Sequence, residues 1–367
     1  MTESTAHPVS TYQAAGVDSE RQDRAMPLLA GWIERSFALR PGLGAVKLPL
    51  GNFANVIDLG NGMGLALSTD GVGTKLLVAQ LLGKYDTVGI DCVAMNVNDV
   101  LCVGAEPLAM LDYIAVEAPH AELLEPLARG LYRGAEMAGV TIPGGEIAQV
   151  REMIRGVRDG WAFDLVGTCV GQVPVERILA GQDVREGDVV VGLRSSGVHS
   201  NGLTLARRVL LEKTAWSAEH HVPELGRSVG AELLEPTRIY VKEVLAMLRA
   251  GLRIKALAHI TSTGFLNLTR VAAKVGFVLD HLPEPQAVFQ LIQKQGQVSP
   301  EEMFFTYNMG IGFCVVVDAA DADRVQQIAQ EHSVESHRIG FARSDPAKAV
   351  LLPAHGLLGK DGKFQRG

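Results

Sequence analysis

The chain has 367 residues, 47% of them hydrophobic and 20% charged, with a formal net charge of −7. That length allows two domains with substantial cores, and a pI near 5.8 argues against nucleic acid as the main partner. No apolar run is long enough and free of charge to span a bilayer, so no membrane partner is expected.

Met1 to Ser10 lacks the basic and apolar regions of a signal peptide, so the expected location is cytoplasmic. Cys92, Cys102, Cys169 and Cys314 lie in apolar segments without CxxC spacing. This fits reduced core residues better than disulfides or zinc ligands.

In chain order, Asp18 reads as the N-cap of a first helix, in which Ile33 and Phe37 form an i,i+4 apolar pair. The helix should stop before Pro41-Gly42. Val56 to Leu59 and Gly64 to Ser68 read as strands around the turn Asn61-Gly62. The second strand would deliver Asp70 to a loop edge, within Ser68-Thr69-Asp70-Gly71-Val72-Gly73-Thr74-Lys75. Gly71 and Gly73 let backbone N–H groups approach a ligand, because no Cβ blocks it. Lys75 adds a point charge suited to phosphate.

A helix capped by Asp86 follows. It is apolar, yet it carries Asp91, Asn98 and Asp99, which at about 100° per residue share about a third of its circumference. Buried carboxylates are costly unless paired or metal-bound. Asp70 and Asp99, from different elements beside a glycine turn and a lysine, suggest a Mg-nucleotide site. The alternative is a capping Asp70 and a structural Asp99 bonded to backbone.

Leu108 to Val116 is a predicted strand and Ala121 to Ala138 an amphipathic helix. Thr141 to Pro143 leads into Gly144-Gly145-Glu146, a carboxylate directly after a flexible turn, or simply a tight turn with a solvated glutamate. Asp164 to Val173 is another strand, and a domain boundary is expected at Val173-Pro174. Beyond it, Asp188 to Leu193 is a strand, followed by Ser195-Ser196-Gly197-Val198-His199-Ser200-Asn201-Gly202 and a helix from Leu203. Such a turn offers N–H groups and hydroxyls where anions bind, and His199 could exchange protons near neutral pH. It could equally be a cap-rich turn whose histidine bonds to backbone.

Pro236 is expected to open a helix to Arg249, and a lone His259 reads as structural. Ser299-Pro300-Glu301-Glu302 reads as an N-cap, an N1 proline and a capping-box glutamate. Ile311 to Asp318, a helix over Ala322 to Glu331, and Arg338 to Ala342 complete the second domain. From Leu357 the chain reads as a loose polar tail. The alternation of strands and helices means α/β or α+β. There is no Walker A sequence, no kinase-type glycine loop and no GxGxxG after a strand.

Asp99-x-x-x-x-Gly104-Ala105-x-Pro107, Thr69 to Lys75, Tyr12-x-x-Ala15-Gly16-Val17-Asp18 and Thr306 to Gly312 resemble signatures of the phosphoribosylformylglycinamidine cyclo-ligase (aminoimidazole ribonucleotide synthetase) family. The resemblance implies a two-domain α+β fold: 1–173 for ATP binding and dimerisation, 174–345 as a C-terminal α+β domain, and 346–367 as a tail. It implies a homodimer with a shared β-barrel. The implied reaction is ATP-dependent cyclisation of formylglycinamidine ribonucleotide, a small-molecule substrate, to aminoimidazole ribonucleotide.

On this reading Asp70 and Asp99 hold Mg2+ with ATP, beside Gly71, Gly73, Thr74 and Asn98, and Lys75 meets phosphate. Glu146, His199 and Lys75 are the catalytic candidates. Ser195, Ser196, Gly197, Ser200, Asn201 and Thr261 face the substrate. Two departures stand out. The family's Thr-Ala-Glu-Met-Pro is Ile147-Ala148-Gln149-Val150-Arg151 here, and Ser262 and Thr263 replace two glycines. A diverged relative of the selenophosphate synthetase, thiamine-monophosphate kinase or hydrogenase maturation type, or a non-catalytic nucleotide-binding paralogue, is the alternative.

Overall fold

The structure is a computed structural model that describes residues 11–17 and 19–367; the expected cap at Asp18 lies outside them. Helix α1 (Ser19–Arg35) precedes strands β1 (Asn55–Gly60) and β2 (Met63–Gly71). These strands pair antiparallel around Asn61-Gly62, whose φ values of 53° and 74° are those a type I′ turn requires. Helices α2 (Lys75–Leu82) and α3 (Val88–Cys102), strand β3 (Glu106–Val116), helix α4 (Ala121–Ala138) and strands β4 (Thr141–Gln149) and β5 (Phe163–Pro174) complete the first unit. Its sheet has the order β1-β2-β5-β3-β4, antiparallel except for β3 with β4, which α4 joins as a crossover.

Helix α3 covers one face of this sheet, and α4 packs closely against α3 through glycines. A Cβ at Gly89 would lie 2.3 Å from the Leu131 nitrogen, and one at Gly134 would lie 2.8 Å from Val93. The opposite face is uncovered. The alternation of the strands puts Leu65, Leu67, Val166, Val170, Leu111 and Tyr113 there, with Leu111 46% exposed.

The second unit contains β6 (Val189–Arg194), α5 (Leu203–Arg207), the ribbon β7 (His221–Val222) and β8 (Arg227–Ser228), α6 (Val229–Leu233), α7 (Val241–Arg249), β9 (Ile254–His259), β10 (Val275–Val278), α8 (Ala287–Gly296), α9 (Pro300–Thr306), β11 (Ile311–Val317), α10 (Ala322–Glu331), β12 (Ser336–Ser344), β13 (Val350–Leu352), β14 (Leu357–Lys360) and β15 (Lys363–Arg366). Its eight strands run β15-β14-β13-β10-β12-β6-β11-β9. Every residue of β11 is buried, which explains its unbroken apolar run. Helix α3 lies between the first sheet and this unit, so its polar residues face a domain junction rather than solvent.

Four local readings change. Helix α3 begins at Val88 after Thr87, and Asp86 instead lies 3.5 Å from Arg133. No helix opens at Pro236: α7 starts at Val241, because the backbone of residues 237–240 bonds to side chains of Asp91, Asn98 and His199. Gly144-Gly145-Glu146 is not a turn but the middle of β4. The residues from Leu357 are not a loose tail; they form the hairpin β14–β15, anchored by buried Leu357 and Phe364. The cap at Ser299 forms as expected, its side chain accepting from the Glu302 N–H.

Candidate functional site

A row of acids crosses the first sheet on its α3 side. In the strand register Asp70 opposes Gly167, and Gly167 opposes Asp112, which in turn opposes Gly145. Gly145 has to be a glycine here, since a Cβ would lie 2.4 Å from the Asp112 carboxylate. Asn96 of α3 donates to the Asp70 carbonyl at 3.1 Å and to the Cys92 carbonyl at 2.9 Å, fixing the end of β2. Burial, and then the nearby Asp99, push the Asp70 carboxyl up to about 6. The Asp112 carboxyl is also raised, mainly by burial. Asp99 lies 2.9 Å from His259 Nδ1, and the same charge acts on Arg270, whose guanidinium stacks over Phe53. Beyond Asp112 the row opens into a cavity of about 730 Å³ between β3, β4 and α4, walled by Ile114, Leu124, Leu131, Tyr132 and Ile142.

Lys75 takes a different position from the one its sequence neighbours suggest. It is fully buried, and its Nζ donates to Asp91 Oδ1 at 2.8 Å and to the Glu235 carbonyl. The same Asp91 oxygen accepts from the Thr237 N–H and hydroxyl at 2.7 and 2.6 Å and from Ser200 Oγ at 3.2 Å. Asn98 is likewise buried, donating to the Arg238 carbonyl and accepting from the Tyr240 N–H. This half of the polar face of α3 therefore bolts the two units together. The sequence alternative, a structural polar helix face, describes Asp91 and Asn98.

The turn after β6 is held just as firmly. Ser195 accepts from Gln286, Ser196 Oγ donates to the Pro236 carbonyl, and the carbonyls of Gly197 and Val198 accept from Asn308. Asn201 and Thr261 are half-buried, while Gly202 packs so closely that a Cβ would meet Tyr307 at 2.3 Å. His199 has φ 65°, and its Nε2 accepts from the Ser196 and Arg238 N–H groups. Burial, with His259 and Lys75 nearby, holds it well below the ordinary histidine range, so it is neutral near pH 7. We expect His199→Ala to lower the thermal midpoint while kcat of the folded fraction stays within about threefold. A fall of about a hundredfold in kcat at unchanged midpoint would instead restore general acid–base catalysis.

Glu146 stands apart. It opposes Tyr113 on the uncovered sheet face, away from Asp70 and Asp112. Of the two glycine replacements, Thr263 carries φ 69°, a left-handed conformation that is strained for a β-branched residue. The sequence reading gives no role to Asp112, Asn96 or Arg270 and takes His259 as structural. Asp112 leaves a signal, an acid inside an apolar strand.

The family described as "AIR synthase related protein, N-terminal domain" matches residues 51–173, and its C-terminal domain matches 185–352. The chain is 45% identical to the phosphoribosylformylglycinamidine cyclo-ligase of Methanocaldococcus jannaschii, over 90% of this chain and 91% of that one. It is 44% identical to the enzyme of that name from Methanothermobacter thermautotrophicus, over 94% and 97%. Among solved structures, thiamine-monophosphate kinase from Stenotrophomonas maltophilia superposes with a TM-score of 0.60 at 19% identity, covering 87% of this chain and 94% of that one. AaThiL complexed with AMPPCP and TMP does so with 0.59 at 17% identity, covering 88% and 92%. These two share the fold.

Proposed function

The chain belongs to the phosphoribosylformylglycinamidine cyclo-ligase family, and from that premise we propose how its own residues carry the reaction. The protein is an ATP-dependent ligase that closes formylglycinamidine ribonucleotide to aminoimidazole ribonucleotide in purine biosynthesis, releasing ADP and phosphate. Its relatives' names do not favour the diverged-paralogue reading.

The chemistry sets the requirements. An amide oxygen is a poor leaving group. Phosphorylation by ATP converts it into phosphate, and the amidine nitrogen then closes the ring. The site has to hold triphosphate charge, align the nitrogen and exclude water.

The observation that carries our assignment is the placement of two acids: Asp70 at the end of β2 and Asp99 on α3, held 2.9 Å from His259 Nδ1, are near enough that the Asp99 charge, after burial, helps push the Asp70 carboxyl up to about 6. Mg2+ takes one or two carboxylates and fills its shell with phosphate oxygens and water. We assign Mg2+ to Asp70 and Asp99, with Asp112 beside them; when bound, it neutralises phosphate charge.

We place the adenine in the 730 Å³, largely apolar cavity that Asp112 also lines. Gly73, exposed at φ 73°, lets the loop before α2 approach the phosphates, with Gly71 and Thr74 on either side. His259 orients Asp99 through their 2.9 Å contact. Asn201 and Thr261 are the substrate contacts we assign, while Ser195, Ser196, Gly197 and Ser200 shape the turn that presents them. Turnover of the purified protein with formylglycinamidine ribonucleotide and MgATP tests the reading; no aminoimidazole product would overturn it.

The same reading includes a homodimer joined through the uncovered face of the first sheet, which supplies a row of apolar side chains and places Glu146 at the interface. Sedimentation should give a dimer at micromolar concentration, and Leu111→Asp should shift it to monomer. A monomeric wild type would remove this arrangement. Among the described residues no helix is long and apolar enough to cross a membrane, and a cytoplasmic location belongs to the same proposal.

A further inference from the structure

A second cavity, of about 390 Å³, opens where α3 and α4 meet the second unit. Its lining combines the apolar Ile90, Met137, Ile239 and Val334 with the basic Arg238, Lys242 and His332 and the carboxylates of Glu235 and Glu243, of which Glu235 is paired with Arg227. Glu243 is 4% exposed, and its Oε1 has no hydrogen-bond partner among the described residues; neither has Arg238 Nε. A buried carboxylate oxygen and a buried guanidinium N–H are each costly when left unpaired. Both residues line one cavity that is large enough for a small molecule, and a small turn of either side chain would bring its buried unpaired atom to a ligand there. Burial pushes the Glu243 carboxyl up to about 7, against the lowering effects of its own backbone N–H and of Arg238 and Lys242.

We propose that this cavity is a second ligand site for a small phosphomonoester that also carries N–H or O–H donors, of the nucleoside monophosphate class. The phosphate meets Lys242, His332 and Arg238; a donor on the heterocycle or sugar meets Glu243; and the ring lies on Ile90 and Met137. None of Asp70, Asp99 and Asp112 lines this cavity, so it is distinct from the acid row. Because it bridges the two units, its ligand would bear on their alignment.

The test is calorimetric titration of the protein with GMP in the presence of saturating Mg2+, a non-hydrolysable ATP analogue and formylglycinamidine ribonucleotide, which together occupy the first site. Wild type should bind GMP, and bind inorganic phosphate more weakly. Lys242→Ala removes an exposed side chain and should weaken GMP binding about tenfold, the scale of one charge-assisted hydrogen bond. Glu243→Gln should weaken GMP binding by a similar factor without changing the affinity for inorganic phosphate. No GMP binding at millimolar concentration, or equal affinity in wild type and Lys242→Ala, would overturn the proposal. Should Glu243→Gln fail to fold, as its thermal midpoint will tell, the Lys242→Ala comparison decides.

Discussion

Asp70→Asn should reduce turnover with MgATP by at least about a hundredfold, and Asp99→Asn should do the same, because each would remove half of the carboxylate pair to which we assign the cation. The folded protein should not suffer. With its carboxyl raised to about 6, Asp70 binds a proton more readily folded than unfolded. Its contribution to stability is therefore present below the ordinary carboxylate range, near pH 4, and is lost as pH rises through about 6. At pH 7.5 without metal, Asp70→Asn should melt at the same temperature as wild type or slightly higher, whereas below pH 4 the two should coincide. Cation binding needs the ionised pair, so wild-type affinity for Mg2+ should climb between pH 5 and 7. Equal kcat in Asp70→Asn and wild type, or a variant that unfolds at neutral pH, would remove the assignment.

Lys75→Met is expected to have the largest effect on stability. It leaves Asp91 buried at a domain junction with its cation gone, and removal of one partner of a buried pair costs roughly 3–5 kcal/mol. Asp91 keeps the Thr237 and Ser200 donors, which places the loss toward the lower end of that range. Denaturant unfolding would measure it. A phosphate-binding Lys75 predicts the reverse: weaker MgATP binding with an unchanged unfolding midpoint. Since Lys75 also holds the Glu235 carbonyl, a loosened junction should show as faster hydrogen exchange in 235–240 before global unfolding.

Asp70 and Lys75 show what local sequence can and cannot reveal. Asp70 follows a buried strand and precedes glycines, and Asp99 sits on an apolar helix; each is conspicuous because an acid in such company needs a reason. Lys75 looked like part of the same loop because it follows it directly. As the first residue of α2, it turns inward instead, toward Asp91 sixteen residues on. Loop residues four or five apart can face opposite ways, and only the path of the backbone decides between them.

Strand alternation, the Asn61-Gly62 hairpin, the Ser299 cap and the helix over Ala322–Glu331 were set by the sequence itself, because each rests on contacts within a few residues. Asp70 and Asp99 are conspicuous in the sequence as well, and the fold brings them within electrostatic reach of each other. The tertiary structure decided the rest. It put Gly144-Gly145-Glu146 into a strand, brought Asp112 into line with Asp70 across Gly167, and set His259 against Asp99 across 160 residues. It also turned Lys75, Asp91 and Asn98 into a domain junction and the C-terminal residues into a hairpin. The physical reason is common to all of these: which side chains meet depends on sheet register and on packing between distant elements, and neither is encoded in any local stretch of chain.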